Sequence, residues 1–169
     1  YEKNRVMDEL PQSGEGRTIT TTEPKFIPPE SVSVKTRNEA EFKVRLVDCV
    51  GYIVPGVLGN MEEDRERMVN TPWLENAIPF GKAAEIGTEK VIKEHSVIGV
   101  VITTDGSFGD IPRENFIDAE IRTIKQLKEI KKPFVIILNS ATPQSMKSKE
   151  LAEKLEKEYE APVMLTNCQ

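Results

Sequence analysis

The sequence predicts an α/β fold of three layers, a mostly parallel sheet between helices, with an antiparallel hairpin at its edge. Two observations predict it. In the second half of the chain, short runs that are apolar at every position alternate with segments of helical period. Uninterrupted apolar strands separated by helices are the pattern of a parallel sheet buried on both faces. Ahead of them, residues 32–46 alternate apolar and polar, as two antiparallel strands with one buried face do. A length of 169 residues fits one domain.

Residues 1–30 are rich in turns. Pro11, Gly14, Gly16, Pro24, Pro28 and Pro29 interrupt any period, and Thr18, Thr20, Thr21 and Thr22 form a threonine-rich loop. Residues 31–51 hold the hairpin. Val32 and Val34 share a face on the first strand, Phe42, Val44 and Leu46 on the second, and Asp48-Cys49-Val50-Gly51 ends it. Residues 52–80 read as a long irregular segment with Pro55, Gly56, Gly59, Pro72 and Pro79, a charged run from Glu62 to Arg67, and Trp73. A loop of that length inside a compact domain is usually functional or disordered.

Residues 81–169 are regular. Ala84, Gly87, Val91 and His95 step at helical spacing, and Val97–Ile102 is an apolar strand. Ile117, Ile121, Ile124 and Leu127 mark a second helix, stopped before Pro133, and Phe134–Leu138 a second strand. Leu151, Ala152, Leu155 and Tyr159 mark a third helix, and Val163–Leu165 a last strand after Pro162.

Composition excludes several classes of function. With 23 basic against 28 acidic residues and a net charge of −5, the chain lacks the basic excess of a general nucleic-acid binder. No apolar run reaches the ~18 residues of a membrane span, and no secretory signal opens the chain. Two cysteines, Cys49 and Cys168, make no disulfide framework, which points to a reducing cytoplasm. With one histidine they do not supply the four ligands of a structural zinc site. The first residue is Tyr1 rather than Met, and the chain reads as a piece of a longer protein.

In a sheet of this kind, ligands bind outside the carboxyl ends of the strands. The residues expected there are Asp48 with Gly51, then Thr103-Thr104-Asp105-Gly106, Asn139-Ser140 and Thr166-Asn167. An aspartate at a strand end can hold Mg²⁺, and a glycine three residues on lets a backbone N–H approach a γ-phosphate closely. A threonine loop ahead of that strand suits a switch that senses the phosphate. Together they point to a nucleotide hydrolase.

Two motifs of such enzymes are absent. No G-x-x-x-x-G-K-[ST] phosphate loop occurs, and where a guanine-reading N-K-x-D would stand the chain reads Asn139-Ser140-Ala141-Thr142. A phosphoacceptor receiver domain is the rival chemistry, but Asn139-Ser140 occupies the place of its lysine and no acidic pair precedes Asp48 at the right place. His95 reads as structural or as a helix C-terminal partner, and Cys49 as a small buried hydrophobe. Trp73 and Phe80 read as core plugs or as contacts for another protein.

Several long, ordered stretches resemble the stage IV sporulation protein A family. They are Asp8–Ser13, Thr21–Phe26, Arg45–Tyr52, Asn70–Trp73, Ala84–Thr88 and Ile98–Gly106. The resemblance implies a P-loop NTPase core like that of translation-factor GTPases, but one that hydrolyses ATP with Mg²⁺. It implies a cytoskeletal protein that polymerises into the basement layer of the bacterial spore coat. The expected place is the mother-cell cytoplasm, at the outer forespore membrane. Partners would be further copies of itself and spore-coat and membrane-anchoring proteins.

By position, Asp48 becomes the Walker-B-type metal residue, Thr21 and Thr22 the sensor threonines with Thr22 on the metal, and Gly51 the switch glycine. Asn139 and Ser140 stand on the nucleotide side. ATP needs no guanine grip, which accounts for the missing N-K-x-D. The family's first strand and Gly-Lys-Ser loop are expected upstream of Tyr1. The chain alone is therefore expected to bind ATP weakly, with its hairpin displaced or paired to another molecule. The alternative is a non-catalytic scaffold with a degenerate hydrolase fold.

Overall fold

The computed structural model describes residues 25–57, 61–62, 65–71 and 74–169. The chain divides into two compact units, Tyr1–Gly51 with Gly59–Val91, and Tyr52–Leu58 with Ile92–Gln169. Thr21, Thr22 and Trp73 lie outside the described residues.

Among its described residues, the first unit carries three antiparallel pairs and a helix. Strand β1 (Lys25–Lys35) pairs with β2 (Glu41–Asp48). The turn closes through Thr36 N–H to Ala40 O (2.9 Å). The hairpin begins at Lys25, earlier than residue 31, because Pro28-Pro29 does not end the strand. The pairing instead shifts register between Ile27 and Val32, and a strand tolerates proline at such an irregularity.

The expected alternation is present, with Val32 opposite Val44 and Val34 opposite Phe42. The expected burial is not. Leu46 is 57% exposed and Phe42 48%, while Ile27 is buried.

Part of the segment expected to be irregular is ordered. The short strands β3 (Met61–Glu62) and β4 (Arg65–Glu66) pair, and β5 (Met68–Thr71) pairs with β6 (Leu74–Pro79). Helix α1 (Phe80–Lys90) follows directly, entered through Pro79. Phe80 is a core plug, buried with Ala83 and Ala84 and capped by the Arg67 guanidinium 5.2 Å from its ring centre.

A π-helical turn (Val91–His95) leads into the second unit and its three parallel strands: β7 (Gly99–Thr104), β8 (Phe134–Asn139) and β9 (Val163–Thr166), in the order β7-β8-β9. Helices α2 (Glu114–Glu129) and α3 (Met146–Tyr159) connect them. Strand β7 starts later than expected, so Val97 and Ile98 are exposed and Thr103 and Thr104 are buried strand residues.

The turn before β7 is held by Lys132, whose ammonium donates to the carbonyls of Ile92 and Ser96. His95 is exposed at its end. Residues 52–57 lie on α2: Arg122 stacks on Tyr52 (4.0 Å) and Asn115 Nδ2 donates to Pro55 O (2.9 Å).

The core of this unit joins Val101, Ile136 and Leu138 to Ile124 and Leu127 of α2 and to Leu155 and Tyr159 of α3. In register, Val101 faces Ile136 and Ile136 faces Val163, so these share one face. The opposite face holds Ile102, Ile137 and Met164 in register. Ile102 is 68% exposed and Met164 61%.

Among the described residues of this unit both helices pack on one face, two layers where three were expected. The hairpin β1–β2 is a separate sheet, not an edge of β7–β9. The expectations of an α/β chain and of a parallel sheet are met.

A hydroxyl and carboxylate cluster at the strand ends

The carboxyl ends of β7 and β8 and the start of α3 meet in a polar cluster around Asp105. Strand β7 ends at Thr104, and the chain turns at Gly106, whose φ is +81°. A Cβ there would come within 2.8 Å of Arg113 N, so the turn requires glycine twice over, by conformation and by space. Gly106 N–H is capped by Thr104 Oγ1 at 3.0 Å.

Asp105 is reached from three sides. Ser107 N–H donates to Oδ1 at 3.0 Å, and Ser107 Oγ donates to the same oxygen. Ser148 Oγ donates to Oδ2 at 2.8 Å. Ser148 is also 2.7 Å from Ser145 Oγ and 3.1 Å from Ser140 Oγ. Ser145 is the N-cap of α3 and accepts from Ser148 N–H (3.1 Å), the usual way to satisfy an orphan donor of a first turn. Burial alone would raise the Asp105 carboxyl. The hydrogen bonds from Ser107, Ser140 and Ser148 outweigh it and hold the group below its ordinary 3.8.

The strand-end loop 139–142 is built onto this cluster. Ala141 N–H donates to Ser107 Oγ (2.8 Å) and Thr142 N–H to Ser140 Oγ (3.0 Å). Asp105 N–H donates to Asn139 O (3.2 Å). Ser140 is fully buried, so its hydroxyl shapes the loop from within. Asn139 is half-buried and its Oδ1 accepts from Cys168 N–H (3.0 Å). That leaves the Asn139 amino group as the donor it can offer a ligand. Thr142 is exposed and neutral, so the loop carries no carboxylate to grip a guanine ring.

A second buried network lies beneath. Glu120, 4% exposed, accepts from Arg113 Nη2 (2.8 Å) and from Tyr159 OH (2.8 Å), and Arg113 Nη1 donates to Thr103 Oγ1 (3.0 Å). Burial and the neighbouring Glu120 carboxylate push the Tyr159 phenol well above its ordinary value. Sequence periodicity missed Glu120, because it sits on the helical stripe with Ile117, Ile124 and Leu127. The mate that lets a carboxylate stay there, Arg113, is outside the helix.

Asp48 and Gly51 belong to the first unit, Asn139 and Ser140 to the second. Asp48 ends β2 with an exposed side chain, and Gly51 adopts φ +79°, a conformation that favours glycine. Cys49, between them, is pushed up by burial, against hydrogen bonds from Gly51 and Thr88. It stays a thiol, as a small hydrophobe would be used. Among the described residues, no three His, Cys, Asp or Glu side chains converge on a metal position. A lone carboxylate is nevertheless a fitting donor for Mg²⁺ that arrives on substrate phosphates, since that ion keeps several waters.

Among the described residues no helix is long and apolar enough to cross a membrane. The family model described as "Stage IV sporulation protein A, ATPase domain" matches residues 1–169. The chain is 54% identical over 163 residues to a stage IV sporulation protein A of Bacillus anthracis, covering 96% of this chain and 33% of the relative. It is 50% identical over 167 residues to that of Clostridioides difficile (strain 630), covering 99% and 34%. With the Bacillus subtilis (strain 168) protein the identity is 52%, over 96% and 33%. The chain thus spans about a third of the length of these curated relatives. No solved structure matches it.

Proposed function

We propose that this chain, which belongs to the stage IV sporulation protein A ATPase-domain family, is part of a P-loop-type domain that binds and hydrolyses ATP with Mg²⁺ in the full-length protein. The observation that carries the reading is the family match over all 169 residues. The β7–β9 parallel sheet, with its polar strand ends, is consistent with it.

Asp48 would hold the Mg²⁺, through water or directly, and the ion would neutralise charge on the phosphates. Thr21 and Thr22 would sense the γ-phosphate, and Gly51 would present its N–H to it. Asn139 would donate to a ring nitrogen of the base, in a loop shaped by Ser140. Without a carboxylate at Thr142 the loop gives guanine no advantage, which suits ATP.

Hydrolysis would drive self-association into the polymer of a spore-coat basement layer, in the mother-cell cytoplasm at the forespore surface. Coat and membrane-anchoring proteins would be its partners.

Phosphate release by the full-length protein tests the reading. Asp48→Ala should abolish it while leaving the circular dichroism spectrum unchanged, because an exposed carboxylate at a strand end contributes little to packing. Normal turnover in that variant with Mg²⁺ present overturns the assignment.

A further inference from the structure

We propose that Asp105 is a positioning residue for nucleotide binding, setting through Ser107 and Ser148 the shape of the 139–142 loop without touching the ligand. The proposal rests on the reading of that loop as the base-binding side of an ATP site.

The argument is one of proton direction. A serine hydroxyl has one proton to give and two lone pairs to receive. Ser148 gives its proton to Asp105 Oδ2, so Ser145 must donate into Ser148, and Ser140 directs its one proton to Ser148 or to Asp105 itself. Ser107 gives its proton to Asp105 Oδ1 and is left to accept from Ala141 N–H. Ser140, its proton spent in either direction, is left to accept from Thr142 N–H.

The two loop amides therefore rest on two hydroxyl oxygens whose orientation the Asp105 carboxylate dictates. All the side-chain hydroxyls involved lead to one acceptor, and that acceptor is ionised. An isolated serine cluster has no such preference and can point its protons in several ways, some of which turn an O–H toward the Ala141 or Thr142 N–H. Asn139 begins the same loop, and its carbonyl accepts from Asp105 N–H. A loose loop would misplace the one amide that offers a donor to the base.

The test uses the full-length protein and four variants: Asp105→Ala, Asp105→Asn, Ser107→Ala and Asn139→Ala. The measurements are ATP affinity at equilibrium, KM and kcat for hydrolysis, and exchange of the Ala141 and Thr142 amide hydrogens.

Asp105→Ala should raise Kd and KM together by about tenfold, with kcat at saturation changed less than about twofold, because ground-state binding alone is lost. Asp105→Asn should lose less, about threefold, since its carbonyl oxygen still accepts from Ser107. Ser107→Ala should resemble the alanine variant and keeps the test open should Asp105→Ala misfold. Exchange at Ala141 and Thr142 should quicken in step with the lost affinity, which a role in general stability would not select.

If Asn139→Ala weakens ATP while Asp105→Ala and Ser107→Ala leave affinity unchanged, the positioning role is wrong and the nucleotide reading stands. If Asn139→Ala also leaves affinity unchanged, the base does not sit on this loop and both fall.

Discussion

Removing the Arg113 side chain is the perturbation whose cost can be worked most directly. Arg113 supplies the cation for Glu120, with Nη2 2.8 Å from both carboxylate oxygens and side chains 14% and 2% exposed. Taking one partner from a buried pair leaves a charge without compensation and costs about 3–5 kcal/mol. Here Tyr159 OH still donates to Glu120 and some water reaches the arginine side, so the lower end, about 3 kcal/mol, applies.

The assay is native-state hydrogen exchange at the amides of Ile136 and Leu138, in the middle strand of the second unit. A loss of 3 kcal/mol should speed their exchange about a hundredfold, at ~1.4 kcal/mol per factor of ten. The double variant Arg113→Met with Glu120→Gln should recover to within about 1 kcal/mol, because no buried charge remains and the amide oxygen still accepts from Tyr159. Exchange within threefold of wild type in Arg113→Met, or no recovery in the double variant, refutes the reasoning.

Two further outcomes follow from the same unit. Gly106→Ala forces a positive φ on a residue with a Cβ and drives that carbon against Arg113 N. It should cost about 2–3 kcal/mol by thermal or urea unfolding, and a change under about 0.5 kcal/mol contradicts the geometry. At high pH, the phenol of Tyr159 is raised in the folded state, so its contribution is complete below the unfolded value near 10 and is lost as pH rises further. Tyrosinate absorbance should therefore show one of the three tyrosines ionising only with unfolding, and Tyr159→Phe should remove that late step.

Strand and helix types in the second half were legible because Phe134–Asn139 and Leu151–Tyr159 carry period and breakers in the sequence itself. The layer count was not. Val100 and Ile102 are apolar on the face that the described residues leave open, and an apolar residue says that a face can be covered, not what covers it. The start of the hairpin was misjudged because Pro28-Pro29 reads locally as a break, whereas the pairing absorbs it as an irregularity. The strand-end positions of Asp105 and Asn139 were visible in the sequence. Ser145 and Ser148 were not, since Ser148 lies 43 residues from Asp105; Ser107, two residues after Asp105, reads as an ordinary turn residue until Ala141 N–H is placed on it. Glu120 was hidden because its partner Arg113, seven residues ahead, lies just outside the helix: a charged residue on an apolar stripe makes sense only once the helix start is placed.

The central claim is that this family's domain is an ATP site whose base side lacks a guanine grip. Equilibrium binding of ATP and of GTP to the full-length protein, with Mg²⁺, tests it most directly. The account predicts saturable ATP binding and GTP bound no tighter than ATP, since no carboxylate at Thr142 pairs with the guanine N–H groups. GTP bound about tenfold or more tighter than ATP, or no binding of ATP, contradicts it.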